Sequence, residues 1–267
     1  MPKVLLTFPN GRHKVLTMSY DDGKHADRKL LSIFNRHGIR GTFHLNSGLT
    51  ETDDERISKQ DIPELYKNHE VSAHTVTHPT IERSPREQLI EEIIEDRKGL
   101  ESIVGYTVRG LSYPNGSYNK KIKDMLPHLG IEYARTVKST GTFYMPDDLY
   151  EWNPTCHHNH QLLDLAKEFI GLHKQQYLYM MYVWGHSYEF DRDQNWDLIE
   201  DFCQLIGGRD DIWYATNIEI IDYVKAFHNL KFSANSQFVY NPNAMSIWLR
   251  VEDDIIEVKG GEQLSLM

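Results

Sequence analysis

The chain is poor in cysteine, with only Cys156 and Cys203 in 267 residues. Two are too few for a disulfide framework and fit a reducing compartment. There is no run of about 18 consecutive apolar residues, which excludes a membrane-spanning helix. Basic residues are not in excess. The formal net charge is −10, whereas a nucleic-acid binder needs a basic face, so polyanions are disfavoured and a neutral or cationic partner fits better. No segment repeats, and none is of low complexity. The start, Met1-Pro2-Lys3-Val4-Leu5-Leu6-Thr7-Phe8-Pro9, lacks the apolar stretch and small-residue cleavage site of a signal peptide. The expectation is a cytoplasmic protein, with an export segment missing from this sequence as the alternative. Oligomeric state is left open.

What is present is 40% hydrophobic and 25% charged residues, enough for a sizeable core in one large domain or a domain plus a small appendage. The most informative stretch is Val15-Leu16-Thr17-Met18-Ser19-Tyr20-Asp21-Asp22-Gly23. An apolar, β-prone run stops abruptly at two carboxylates and a glycine. It reads as a buried strand delivering charge to its C-terminal end, followed by a turn that glycine makes easily. Adjacent acids repel, so such a pair calls for a cation or a division of labour. The plainer alternative is an Asp-Asp-Gly turn capping a helix near Asp27.

Read in order, the chain predicts a strand at 14–20, a helix at 27–37 stopped by Gly38, and a strand at 41–46. A short helix follows at Asp61-Ile62-Pro63-Glu64, then a strand at 70–74. A helix with a capping-box start at Ser84-Pro85-Arg86-Glu87 precedes a strand at 107–113, a helix at 118–128 and a strand at 131–137. Residues 138–160 are irregular; a helix at 161–174 leads to a nearly all-apolar strand from Leu178 to Trp184, which suits burial on both faces. A helix at 193–206, a strand at 212–215 and a helix at 217–229 complete the alternation. Strand and helix thus alternate about seven times, predicting a parallel sheet wrapped by helices, either a barrel or a doubly wound sheet. Residues 231–267 change character, with short strands at 231–240, 245–251 and 255–258 reading as a small antiparallel β appendage packed on the 1–230 domain.

Three further stretches carry titratable groups at strand ends. His74-Thr75-Val76-Thr77-His78-Pro79 places two histidines four apart, where Pro79 favours a tight loop over a helix. With Asp22 they make two imidazole nitrogens and one carboxylate, a facial set with open positions for water and substrate; two unrelated surface histidines are the alternative. The apolar strand ends in Trp184-Gly185-His186-Ser187-Tyr188, where a capping or core histidine is the alternative. Arg109 to Gly116 ends in a Pro-x-Gly turn able to present a backbone N–H near Asn115, with an arginine at its root able to hold a carboxylate; a salt bridge plus an ordinary turn explains it equally well. Cys156-His157-His158-Asn159-His160 is a weak signal for a second metal site and reads better as a rim loop.

Taken together, strand ends carrying Asp-Asp, His-x-x-x-His, Arg…Pro-x-Gly and His would converge on one face of a parallel barrel. In this the sequence resembles the polysaccharide deacetylase family, carbohydrate esterase family 4 with its NodB-homology domain, over roughly residues 14–229. Ser19 to Gly23 corresponds to the family's Thr-Phe-Asp-Asp-Gly, His74 to His78 to its second motif, Arg109 to Gly116 to its third, and Val183 to His186 approximates its Leu-x-x-His. Departures are Ser112 where a second arginine is common, Asn115 where an aromatic residue is common, and a poor fourth motif at Tyr150-Glu151-Trp152-Asn153-Pro154.

The resemblance implies an α/β fold, a distorted (β/α)7 TIM-like barrel, and a hydrolase of non-peptide C–N bonds acting on an N-acetylated carbohydrate. It implies a divalent ion, zinc first and cobalt, nickel or manganese otherwise, on Asp22, His74 and His78. Asp21 would be the base, Arg109 its anchor and His186 the acid. Asn115, Trp184, Tyr188, Trp152 and His158 are the candidates to meet the sugar. Alternatives on the same scaffold are an allantoinase-like C–N hydrolase, an O-acetyl esterase or a non-catalytic carbohydrate-binding protein.

Overall fold

The computed structural model describes residues 3–266; Met1, Pro2 and Met267 lie outside the described residues. The chain runs β1 (Val4–Leu6), β2 (Lys14–Asp21), α1 (Asp27–Arg36), β3 (Gly41–Leu45), α2 (Ile62–Leu65), β4 (Glu70–Ala73), α3 (Arg86–Val104), β5 (Gly110–Ser112) and α4 (Lys120–Met125). It continues with β6 (Tyr133–Arg135), β7 (Cys156–His157), α5 (Leu162–Ile170), β8 (Tyr179–His186), α6 (Tyr188–Arg192), α7 (Trp196–Ile206), β9 (Ile212–Tyr214) and α8 (Asn217–His228).

Every residue of β2 is buried, and the strand is also paired along both edges. β8 pairs with its whole length, while the other edge is shared between β9 at Lys14–Leu16 and β3 at Met18–Asp21. The sheet order is β6-β5-β4-β3-β2-β8-β7, all parallel, with β9 added beside β2. Residues 152–155 span the gap between the outermost strands. Trp152 N–H donates to Ala134 O (3.0 Å), Thr136 N–H donates to Trp152 O (3.1 Å), and Thr155 N–H donates to Tyr182 O (2.8 Å). The sheet therefore curls into the expected distorted barrel, and parallel pairing puts all its C-terminal strand ends on one face.

The helices pack by the apolar stripes read in the sequence, for example Leu30, Leu31, Ile33 and Phe34 of α1. The capping box expected at Ser84 does not form. Pro85 is the N-cap of α3, with no side-chain cap hydrogen bond, so the helix starts one residue late and Ser84 falls outside it. α8 has the complete motif instead, Thr216 with Glu219.

The tail forms two antiparallel sheets. β10 (Lys231–Phe232), β11 (Phe238–Tyr240) and β14 (Gln263–Ser265) make one, in the order β10-β11-β14. β12 (Ile247–Val251) and β13 (Asp254–Val258) make the other, in which β1 pairs with β12. Val239, Ile247, Leu249 and Val258 share an apolar cluster with Tyr133, Trp152, Met180, Tyr182 and α8. No helix among the described residues is long and apolar enough to cross a membrane.

Candidate active site

Register assembles the site. Asp21 at the end of β2 lies level with His44 on β3 and with His186 on β8; Ser112 lies level with Arg135. His74 follows the last residue of β4.

Asp22, His74 and His78 come together, their ligand atoms all within 4.8 Å of one another. Asp22 Oδ1 is 4.0 Å from His74 Nε2 and 3.9 Å from His78 Nε2. The backbone is bent to achieve this: Asp22, Thr75 and His78 have φ of 79°, 67° and 59°. Such angles are costly for a β-branched threonine and persist only where the surroundings over-determine them. The surroundings are α3 and the loop after β3. Buried Asp96 accepts from His74 N–H (2.9 Å) and Ser47 N–H (2.7 Å); Glu92 accepts from Thr77 N–H (2.9 Å) and Thr77 Oγ1 (2.6 Å). Asn46 Nδ2 donates to the carbonyls of His74 (2.6 Å) and Thr75 (2.9 Å).

These residues fit a divalent cation. His74 Nδ1 donates to Ser112 O (2.9 Å), which leaves its Nε2 lone pair facing Asp22. Burial pushes the His74 pKa down to about 4 against the pull of Asp21 and Asp22, so the ring is neutral near pH 7. Asp22 Oδ1 is buried with no hydrogen-bond partner; Arg56 Nη2 stands 3.6 Å away, beyond hydrogen-bond reach, and balances part of its charge.

Asp21 is nearly inaccessible. Ser112 Oγ donates to its Oδ1 (3.0 Å), and Arg135 Nη2 pairs with its Oδ2. Burial raises its pKa, but Arg135, His74, His44 and His186 outweigh that and hold the carboxyl well below the usual range. The anchor is therefore Arg135 and not Arg109. Arg109 immediately precedes β5, at the other end of the barrel, where it forms a two-pronged pair with Asp222 of α8 (2.8 and 2.7 Å) and reaches Glu132 (3.3 Å). Arg135 sits inside the strand expected at 131–137, whereas the observed β6 ends on it, level with the site.

His186 stands beside this centre. Burial disfavours its charge, yet Glu189, Asp21 and Asp22 together raise its pKa above the ordinary imidazole value. Glu189, three residues on, was not singled out in the sequence. Its Oε2 accepts from His186 N–H (3.1 Å) and lies 3.4 Å from His186 Nδ1. Its own pKa is raised by burial and pulled the other way, to well below the usual range, by His157 and His186. Tyr188 stacks obliquely near His186, with centroids 5.2 Å apart, and lines a cavity with Lys24, His25, Asp54 and Glu55. Trp184 is mostly buried, with the Arg135 guanidinium 4.6 Å over its ring. Asn115 lies in an exposed turn, φ 57°, where Nδ2 donates to Thr80 Oγ1 (3.3 Å).

Two of the expected sugar contacts are elsewhere. Trp152 is fully buried, edge-on to Tyr133 (5.5 Å) and Tyr182 (5.0 Å), because its backbone closes the barrel against β6. His158 is also fully buried, stacked between Tyr20 (5.7 Å) and Phe190 (4.1 Å), and burial lowers its pKa to about 3.

Part of this chain is similar to known proteins. Residues 9–134 match the polysaccharide deacetylase family, the segment holding Asp21, Asp22, His74, His78 and Ser112, and the resemblance read from the motifs is borne out there. That segment is a little under half of the chain. The match ends before Arg135 and His186. The chain is 23% identical over 114 residues to a peptidoglycan-N-acetylglucosamine deacetylase of Listeria monocytogenes serotype 1/2a, covering 42% of this chain and 24% of the relative. It thus spans about a quarter of that protein's length. In structure it is similar to a Mycobacterium smegmatis protein assigned to the polysaccharide deacetylases, with TM-score 0.62, 14% identity, and coverage of 85% of this chain and 96% of that one. It is also similar to the Xyl-CE4 domain of a multidomain xylanase from the hindgut metagenome of Trinervitermes trinervoides, with TM-score 0.57, 14% identity, and coverage of 84% and 100%. At these identities the likeness establishes the barrel fold.

Proposed function

We propose that this protein is a metal-dependent hydrolase that removes N-acetyl groups from an acetylated sugar, oligosaccharide or polysaccharide. The observation that carries the reading is the convergence of Asp22, His74 and His78 beside two separately tuned groups, an ionised Asp21 and a histidine biased toward its charged form. Asp22, His74 and His78 would hold a divalent cation, zinc by the donor set, which when bound supplies an acidified water and polarises the acetyl carbonyl.

Asp21 stays deprotonated because Arg135 and Ser112 satisfy both of its oxygens. It takes the proton that the attacking water gives up, with Arg135 fixing its orientation through a charge-assisted pair. His186 gives its proton to the amine nitrogen as the C–N bond breaks, because an amine anion is a very poor leaving group. Glu189 keeps that proton on His186 until it is needed. Tyr188 borders the reacting centre and offers aromatic surface to a sugar ring, Trp184 backs the centre from beneath Arg135, and the Asn115 turn forms part of the rim.

The test is acetate release from N-acetylglucosamine oligomers, with and without chelator. Release that stops on chelation and returns with added zinc is expected. Release indifferent to chelator removes the metal from the reaction, and no release from any N-acetylated sugar removes the function.

A further inference from the structure

A second group of ligand-type side chains lies one strand over. His157 closes β7, His158 follows it in the turn, and Glu189 lies in the first turn of α6. Glu189 Oε2 is 3.0 Å from His157 Nε2 and 3.5 Å from His158 Nε2, and the three ligand atoms all lie within 4.8 Å of one another. The proposed reaction uses Glu189 for His186; His157 pairs with Glu189 and its Nδ1 accepts from Asn159 N–H (3.2 Å), while buried His158 is left unexplained.

His158 is the more telling of the two. It has no exposed surface, and neither ring nitrogen has a hydrogen-bond partner. An imidazole always carries at least one N–H to place, and a buried polar atom left unmet costs on the order of 1–3 kcal/mol. A partnerless buried group of this kind calls for an unseen ion or water. The packing is arranged to admit the ring: a Cβ on Gly185 would sit 2.0 Å from His158 Nδ1, so only a bare backbone fits there.

We propose that His157, His158 and Glu189 form a second divalent-cation site, separate from Asp22, His74 and His78. Two imidazoles and a carboxylate suit zinc and its neighbours in the first transition row. Ligands about 2.0–2.2 Å from a tetrahedral ion stand roughly 3.4 Å apart, and the 3.0 and 3.5 Å separations here are close to that spacing. The His157 and Glu189 side chains keep 12% and 11% of their surface exposed, which gives an ion a way in. Occupancy has a consequence for His186, because a cation on Glu189 competes for the same Oε2 that faces His186 Nδ1 at 3.4 Å. That consequence rests on the deacetylase reading; the binding site does not.

The experiment is a titration of metal-free protein with Zn2+ and Co2+ by equilibrium dialysis, on wild type, Asp22→Ala/His78→Ala, His157→Ala and Glu189→Gln, with circular dichroism to confirm folding. The expectation is two equivalents for wild type and one for each variant. Two equivalents retained by both His157→Ala and Glu189→Gln overturn the second site. If wild type binds a single equivalent, the double variant decides. Binding lost there leaves the Asp22 site and sinks this proposal. Binding retained there establishes the second site and sinks the metal ligands of the proposed function.

Discussion

Strand β2 begins at Lys14 and ends at Asp21, both buried, and its two ends treat charge differently. At the start, Lys14 Nζ has Asp211 at 2.8 Å and Ile170 O at 2.8 Å. Close by in the fold, Arg109 is locked to Asp222, and buried Glu70 accepts from Tyr133 Oη, Thr42 Oγ1 and Ile218 N–H at 2.6–2.9 Å. At the other end, Asp22 Oδ1, Trp184 Nε1 and both nitrogens of His158 have no hydrogen-bond partner. Buried polar groups are normally satisfied, so the closed ion pairs at the N-terminal strand ends hold the structure together, and the open groups at the C-terminal ends are left free to act on something else.

Substitutions can break or sharpen that contrast. The largest effect is expected for Asp21→Asn, which should lower kcat on an N-acetylated sugar by about 10²–10⁴-fold while metal binding persists. A smaller loss would mean that another group takes the proton. Next, Arg135→Gln leaves Asp21 buried and unpaired, and should cost about 3–5 kcal/mol of stability by denaturant unfolding as well as activity. Asp96→Asn removes no ligating atom but puts an N–H donor against one of the two amides, of His74 or of Ser47, that the carboxylate accepts from. Metal affinity should fall about 10–100-fold, as for other outer partners of a ligand; unchanged affinity would show that the 74–78 loop holds its own shape.

Glu189→Gln should act through pH. The raised His186 pKa keeps the imidazole protonated into a higher pH range, and activity is lost as pH rises through that value. Removing the carboxylate charge lowers the pKa, so the alkaline limb should move to lower pH while the acid limb stays. A limb that does not move would detach Glu189 from His186. The smallest effect is expected at the opposite end, where Arg109→Gln should cost about 1 kcal/mol of stability, as a partly exposed ion pair does, and leave kcat alone. Loss of kcat equal to that of Arg135→Gln would erase the distinction between the two ends.

Much of this was legible before the structure. The alternation of strand and helix, the Asp-Asp-Gly strand end and the His74–His78 pair are local signals, each contained in a few residues, and the structure keeps them together. The arginine was misjudged for a specific reason. A strand expected at 107–113 puts Arg109 inside it, whereas the observed strand starts at Gly110 and leaves Arg109 at its entrance. Trp152 and His158 lie in a segment without periodicity, so nothing local distinguishes a ring on the rim from one in the core.

The sequence by itself determined the order of the elements and the residues able to ligate a cation, because hydrophobic period and short-range spacing are written along the chain. Only the tertiary structure decided which arginine meets Asp21, that Glu189 serves three histidines, and that the first strand joins the tail. Those outcomes depend on strand register and barrel closure, which are set by packing between segments tens to hundreds of residues apart.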